Sequence, residues 1–141
     1  MLTALLPAAA SILGYRGILA ICWLCAMALD YVSGTLAAMK QGNWSSKLAR
    51  EGLWHKAGMI FAVTVAGLSD VIMALVLKYL PEAEVHWPGL TLPLVLSWYI
   101  LTELGSILEN AMALGAPVPR SLLRVLRAGK AALNSDRREL P

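Results

Sequence analysis
The chain has 141 residues, of which 58% are hydrophobic and 15% are charged, and its formal net charge is +3. A mean hydropathy of +0.64 lies outside the range of ordinary soluble domains. The acids lie inside apolar runs and the bases lie between those runs, which indicates a lipid bilayer and argues against a nucleic-acid-binding protein. We therefore expect one small integral membrane domain.

Residues 1–16 form an apolar segment that is too short to span a bilayer and contains Pro7. No basic residue precedes the apolar run, so the segment lacks the basic region of a secretory signal. We expect an N-terminal arm that lies on the membrane surface or inserts partly.

Residues 17–39 are long enough to cross the membrane and contain one charged residue, Asp30. On a 3.6-residue period, Asp30, Ser33 and Gly34 share one face, which would let a neighbouring helix approach closely. This segment is the predicted first span, and this face is expected to point toward protein.

Residues 40–56 break the apolar pattern and carry four basic residues against Glu51. The positive-inside rule predicts a cytoplasmic loop, part of which could lie along the headgroups as a short amphipathic helix with Trp44 and Trp54. The residues expected to bind the membrane surface here are Lys47, Arg50 and Lys56.

The second predicted span covers residues 57–80 and has Asp70 at its middle. Residues 81–89 follow as a short loop whose charges are Glu82 and Glu84, so this loop is expected on the external side.

The third predicted span covers residues 90–116 and carries one continuous polar stripe at helical spacing. Gly115 is a plausible helix cap, and Pro117 and Pro119 prevent the helix from continuing. The stripe consists of Thr102, Glu103, Ser106, Glu109 and Asn110.

Residues 120–141 form a basic tail with a net charge of +4. Basic residues cluster on one side of a predicted helix and leucines on the other, a pattern that suits an anionic cytoplasmic leaflet. A solvated tail is the alternative. The residues expected to contact phospholipid are Arg120, Arg124, Arg127 and Lys130.

The fold class expected from these segments is an all-α integral membrane protein with three transmembrane helices (residues 17–39, 57–80 and 90–116), an N-terminal arm and a basic amphipathic tail. Together the spans and their loops form a domain of residues 17–119. The loop charges predict that the N-terminus lies outside and the C-terminus in the cytoplasm.

The four intramembrane acids Asp30, Asp70, Glu103 and Glu109 have no lysine or arginine deep enough in a span to pair with them, on this assignment. An ionised carboxylate near the bilayer centre costs at least about 2.5 kcal/mol. We therefore expect self-association that buries the polar faces or lines a hydrated opening with them. Alternatively, the acids are protonated and only hold helices together.

A catalytic or metal site is not predicted. Cys22 and Cys25 form a CxxC inside an apolar span and are expected to be packing residues, and His55 and His86 have no metal-ligand neighbours in the sequence. No nucleophile-base-acid set or glycine-rich phosphate loop is visible, so we expect neither an enzyme nor a cofactor.

Several short segments resemble the phage lysis and toxin-secretion holin family of small membrane proteins. They are LDYVSG at residues 29–34, SSK at 45–47, REGLWHKAG at 50–58, the acid Asp70, and ELGSILENAMALGAPVP at 103–119. They occur in the family's order and cover most of residues 30–119. The residues that match the family pattern are Asp30, Ser45, Lys47, Glu103, Glu109 and Asn110.

This resemblance implies a homo-oligomer in the bacterial inner membrane that forms lesions and releases an endolysin or a toxin without direct contact. The matching residues are then candidates for assembly or pore lining. The alternative from the residues alone is a small proton- or cation-conducting channel or transporter that uses the intramembrane acids. The sequence lacks the inverted repeat of many transporters, which weighs against that alternative.

Overall fold
The computed structural model describes the backbone of residues 2–80 and 86–135, and the side chains of residues 14–80, 86–129 and 131–132. Within these ranges the chain forms four helices and no strand, so the all-α prediction is confirmed. The helices are α1 (Leu2–Lys40), α2 (Ser46–Lys78), α3 (Thr91–Ala113) and α4 (Arg120–Ser135).

In the described part of the chain, three helical segments are long and apolar enough to cross a membrane: Gly14–Lys40, Ser46–Lys78 and Thr91–Ala113. Large apolar side chains point outward along them, and Phe61, for example, is 72% exposed. Such a continuous apolar exterior is typical of a surface that contacts lipid. The chain is therefore a multi-pass membrane protein with three spans.

Helix α1 breaks at Gly14, whose φ of 64° and ψ of 175° are not helical. A positive φ is accessible to glycine because it has no Cβ. The break separates residues 2–13 from the first span, two residues before the boundary predicted at residue 16.

Helix α2 begins eleven residues before the second span predicted at residue 57, so most of the predicted loop 40–56 is helical. Ser45 caps this helix and accepts a hydrogen bond from the backbone N–H of Leu48 at 3.2 Å. The following residues are mostly good helix formers, so the helix continues from the cap into the apolar span. Only residues 41–45 connect α1 to α2.

Helix α3 ends as the sequence predicts. Gly115 has a φ of 95°, and its N–H bonds to the carbonyl of Met112 while the N–H of Ala116 bonds to the carbonyl of Ala111, both at 2.9 Å. These two bonds form a Schellman motif, which satisfies carbonyls at the end of the helix.

Helices α1 and α3 run parallel, with α2 antiparallel to both. At one end, the Pro88 end, Nη2 of Arg16 donates to the carbonyl of Pro88 at 2.8 Å. At the other, the Lys40 end, Nζ of Lys40 donates to the carbonyl of Leu114 at 2.6 Å. The apolar core between these ends is small, and its buried residues are Trp23, Met27, Met59 and Leu96.

Helix α4 turns back along α3 instead of leaving the bundle. A Cβ at Gly129 would lie 3.2 Å from Cδ1 of Leu101, about halfway along α3. The residues turned toward α3 are Leu123, Leu126 and Gly129, whereas Leu122 and Val125 are exposed. The tail beyond residue 135, the side chain of Lys130 and the loop acids Glu82 and Glu84 lie outside the described residues.

Asp70 fixes the start of α3 from the neighbouring helix α2. It is 4% exposed, and its carboxylate accepts hydrogen bonds from the backbone N–H groups of Thr91 at 3.0 Å and Leu92 at 2.9 Å. It also accepts one from Nε1 of Trp87 at 3.0 Å. Because the N-cap residue Leu90 offers no side-chain acceptor, Asp70 satisfies N–H groups that the helix leaves unpaired.

We expect Asp70→Ala to lower the free energy of unfolding by about 1–3 kcal/mol, because it leaves buried N–H groups without acceptors. Chemical unfolding in detergent micelles, followed by tryptophan fluorescence, measures this change. The control is Ser69→Ala, since that hydroxyl bonds only to the carbonyl of Val65 in its own helix. Equal stability of the two variants would contradict the capping role.

Candidate functional site
One ammonium group joins the three spans. Nζ of Lys56 in α2 lies 2.9 Å from Oδ2 of Asp30 in α1 and 2.7 Å from Oε2 of Glu103 in α3. The side chains of Lys56, Asp30 and Glu103 are 11%, 21% and 4% exposed. Charges this far removed from water require direct partners, and here each charge has one.

Asn110 and Ser33 extend this group on the side of α1 and α3. Nδ2 of Asn110 donates to Oδ1 of Asp30 at 3.2 Å and to Oγ of Ser33 at 3.1 Å. Gly34 lies directly opposite, and a Cβ there would be 3.4 Å from Nδ2 of Asn110. We call Asp30, Ser33, Lys56, Glu103 and Asn110 the Lys56 cluster.

The expectation that no base could pair with the intramembrane acids is therefore wrong. Lys56, grouped by sequence with the surface-binding residues, is largely buried and pairs with two of the acids. The reason is that α2 starts at Ser46, so Lys56 lies inside a helix and not in a loop. The sequence does contain a signal for the inward position of Lys56. At helical spacing, Lys56 lies on the same face of α2 as Met59, Val63, Ala66 and Asp70.

The Lys56 cluster lies well inside the spans. Ten residues, about 15 Å of helix, separate Asp30 from Lys40 in α1 and Glu103 from Ala113 in α3. Pairing within the cluster lowers the cost of keeping its charges in the membrane.

An open cavity of about 320 Å³ adjoins the Lys56 cluster between α1 and the first turns of α2. Asp30, Lys56 and Asn110 line it, together with Trp44 and Gly52. Two carboxylates face one ammonium in the cluster, so its charge is negative when all three groups are ionised. Through this cavity, water or a cation can reach the cluster.

The predicted stripe on α3 is divided between two neighbours. Glu103 and Asn110 face α1 and α2 and belong to the Lys56 cluster. The other members face α4 across a second cavity of about 290 Å³, which is also lined by Leu123, Leu126 and Arg127. We call Thr102, Gly105, Ser106 and Glu109, which line this cavity from α3, the α3 stripe.

The α3 stripe makes few polar contacts in the single chain. The hydroxyls of Thr102 and Ser106 donate to carbonyls within α3, to Trp98 at 3.0 Å and to Thr102 at 3.2 Å. Glu109 is exposed and has no ion pair within the described residues. Of the four intramembrane acids, Glu109 is the one with no ion pair or helix-capping hydrogen bond among the described residues.

The remaining basic residues predicted to bind the membrane surface lie outside the core. Lys47 and Glu51 form a solvent-exposed pair at 4.0 Å. Trp54 is 77% exposed, as an interface residue would be. The other exposed basic residues of this group are Arg50, Arg120, Arg124 and Arg127.

Among the described residues there is no group of three or more His, Cys, Asp or Glu that could hold a metal ion. Cys22 and Cys25 are free thiols on the outer face of α1. The two histidines, His55 and His86, are exposed.

Known proteins resemble this chain over most of its length. The model of the bacteriophage holin family matches residues 8–130. The chain is 32% identical over 124 residues to the uncharacterized protein BH0965 of Halalkalibacterium halodurans, covering 87% of both proteins. It is 31% identical over 103 residues to the uncharacterized protein Lmo0128 of Listeria monocytogenes, covering 73% of this chain and 65% of the relative.

A third relative is the uncharacterized 14.9 kDa protein in the nagH 3′ region of Clostridium perfringens, 32% identical over 99 residues, with 70% of this chain and 67% of the relative covered. No solved structure matches the chain significantly.

We expect Lys56→Met to lower the free energy of unfolding by about 3–5 kcal/mol, because it leaves two carboxylates without their counter-ion. Adding Asp30→Asn and Glu103→Gln to this variant should recover most of the loss. The measurement is chemical unfolding in detergent micelles.

Lys47→Met is the matched control and should change stability by less than about 0.5 kcal/mol, since its ion pair is exposed. A loss for Lys56→Met no larger than this control would show that the Lys56 cluster does not stabilise the bundle.

Proposed function
Because the chain belongs to the bacteriophage holin family, we propose that it acts as a holin: it accumulates in the bacterial cytoplasmic membrane, self-associates, and forms lesions. Through these lesions an endolysin or a toxin leaves the cytoplasm, without requiring direct contact with the chain. The observation that carries the proposal is the family match over residues 8–130 of a chain with three helices long enough to cross a membrane.

The internal pairing of the acids supports a protein that can accumulate before it acts. Lys56 pairs with Asp30 and Glu103, and Asp70 caps α3. A single chain therefore satisfies these carboxylates without needing a water-filled lumen. Three helices enclose too little space for a protein to pass, so a lesion requires several copies.

The distribution of basic residues supports an orientation with the Lys40 end in the cytoplasm. Lys40, Lys47 and Arg50 lie at this end, and α4 begins there with Arg120. The positive-inside rule then assigns the residue 81–89 loop to the external side. Anionic phospholipid of the cytoplasmic leaflet is the proposed ligand of these basic residues.

A small cation channel is the second candidate function. It is favoured by the two carboxylates that face one ammonium in the Lys56 cluster and by the open cavity of about 320 Å³ beside it. Such a channel would conduct ions through a defined oligomer and would retain proteins.

A size series of solutes separates these functions. Vesicles of phosphatidylethanolamine and phosphatidylglycerol are loaded with a small dye, a dextran and an active endolysin, and purified protein is added at increasing density. We expect all three solutes to escape above a threshold density, because lesions grow with the number of copies. Empty detergent carrier is the control.

Release that stops at small ions at every density would support the channel. Vesicles that retain every solute and their ion gradients would contradict both functions.

A further inference from the structure
The α3 stripe is the polar intramembrane surface that the spans themselves leave unused. We infer that it is the surface by which one copy packs against a second copy, and that α4 occupies this surface in the single chain. Self-association then requires α4 to leave α3. This inference rests on the proposed function, since it identifies the contact through which holin copies assemble.

The first observation is that the other polar candidates are already engaged. Asp30, Glu103 and Asn110 bind within the Lys56 cluster, and Asp70 is held at the start of α3. A contact between two copies through these residues would first require buried ion pairs or hydrogen bonds to break. The hydroxyls of the α3 stripe bond only within α3, so a second copy can contact the stripe without that loss.

The second observation is that α4 covers the α3 stripe loosely. A cavity of about 290 Å³ remains between the two helices. Glu109 and Arg127 line this cavity from opposite sides, and no ion pair joins them. A cavity lacks the atomic contacts of a close-packed interface, so this contact is weaker than its length suggests.

The third observation is that α4 carries more apolar surface than α3 covers. Leu122 and Val125 are 43% and 66% exposed while Leu123 and Leu126 are turned toward α3. A membrane surface would bury the apolar side of α4 and bind its exposed arginines at the same time. Leaving α3 therefore gives α4 an alternative binding site.

A second copy fits the exposed α3 stripe because the stripe is small and self-complementary. Gly105 and Ser106 have little bulk, which lets two helices approach closely in a bilayer. The hydroxyls of Thr102 and Ser106 already donate within α3, so their oxygens serve as acceptors, and the carboxyl group of Glu109 donates when it is protonated. Each copy thus presents both halves of the hydrogen bonds that the pair needs.

The first test displaces α4. In Gly129→Leu, the new side chain enters the space occupied by Leu101, whose Cδ1 is 3.2 Å from the Cβ position. Ala128→Gln adds a polar side chain of similar size on the exposed side of α4 and is the control. Energy transfer between N-terminally labelled copies in phosphatidylethanolamine and phosphatidylglycerol vesicles measures self-association.

We expect Gly129→Leu to raise the association constant at least about fivefold, the size of effect that overpacking a small contact produces, and Ala128→Gln to leave it unchanged. Leucine is a better helix former than glycine, so a more stable α4 would act in the opposite direction. Equal association of the two variants would overturn the inference.

The second test locks α4 in place. Leu101→Cys and Gly129→Cys are combined in a Cys22→Ser/Cys25→Ser background and joined by a short thiol-reversible crosslinker, with Leu101→Cys alone as the control. We expect the closed crosslink to reduce association at least about fivefold, and a reducing agent to restore it. A locked protein that associates as well as the reduced protein would overturn the inference.

The third test concerns the α3 stripe itself. In the Gly129→Leu background, Thr102→Leu should return association to the parent level, because bulk on the stripe separates the helices. Thr64→Leu is the matched control, since Thr64 is exposed on α2 and its hydroxyl also bonds within its own helix, to Ile60. Equal effects of the two substitutions would place the contact elsewhere.

The outcomes for the inference and for the proposed function differ. If the locked protein still releases endolysin from vesicles, the holin function stands and the role of α4 is wrong. If the parent protein associates through the α3 stripe but releases no solute, the surface is correct and the holin function is wrong.

Discussion
The bundle depends on the placement of one ammonium group, Nζ of Lys56, between carboxylates of the two other spans. Helices in a bilayer gain little from burying apolar side chains, because lipid is equally apolar. Among the described residues, the buried apolar cluster between the spans consists of only Trp23, Met27, Met59 and Leu96. The polar links at the Lys56 cluster and at Asp70 therefore determine how the spans pack, and about 21 Å of α2 separates these two links.

This arrangement separates two roles that intramembrane acids could share. Acids paired within a chain fix its fold, whereas an acid left outside such pairs is available to another molecule. Asp30, Glu103 and Asp70 belong to the first class, and Glu109, on the α3 side that faces α4, belongs to the second. This division suits the proposed function, because internal pairs hold the fold while one acid remains for the proposed contact between copies.

The sequence predicts the three spans and the end of α3 because both follow from local rules, apolar length in one case and Gly115 with its prolines in the other. It does not predict the partner of Lys56, because counting loop charges treats every base between spans as a surface residue. The helical spacing between Lys56 and Met59 is the sequence signal that places Lys56 on the inward face of α2. The cap formed by Asp70 has no sequence signal, since its donors are backbone N–H groups that any residue carries.

Helix α4 illustrates a limit of a different kind. Its amphipathic pattern fits both an anionic membrane surface and the side of α3, so the pattern alone does not select between them. At an anionic surface each basic residue contributes about 1 kcal/mol, and burying Leu122 and Val125 adds a contribution on the order of 1 kcal/mol each. The contact with α3 must offset these terms across a cavity. Anionic lipid therefore favours the membrane-bound state of α4, in which the α3 stripe, the proposed contact surface, is available.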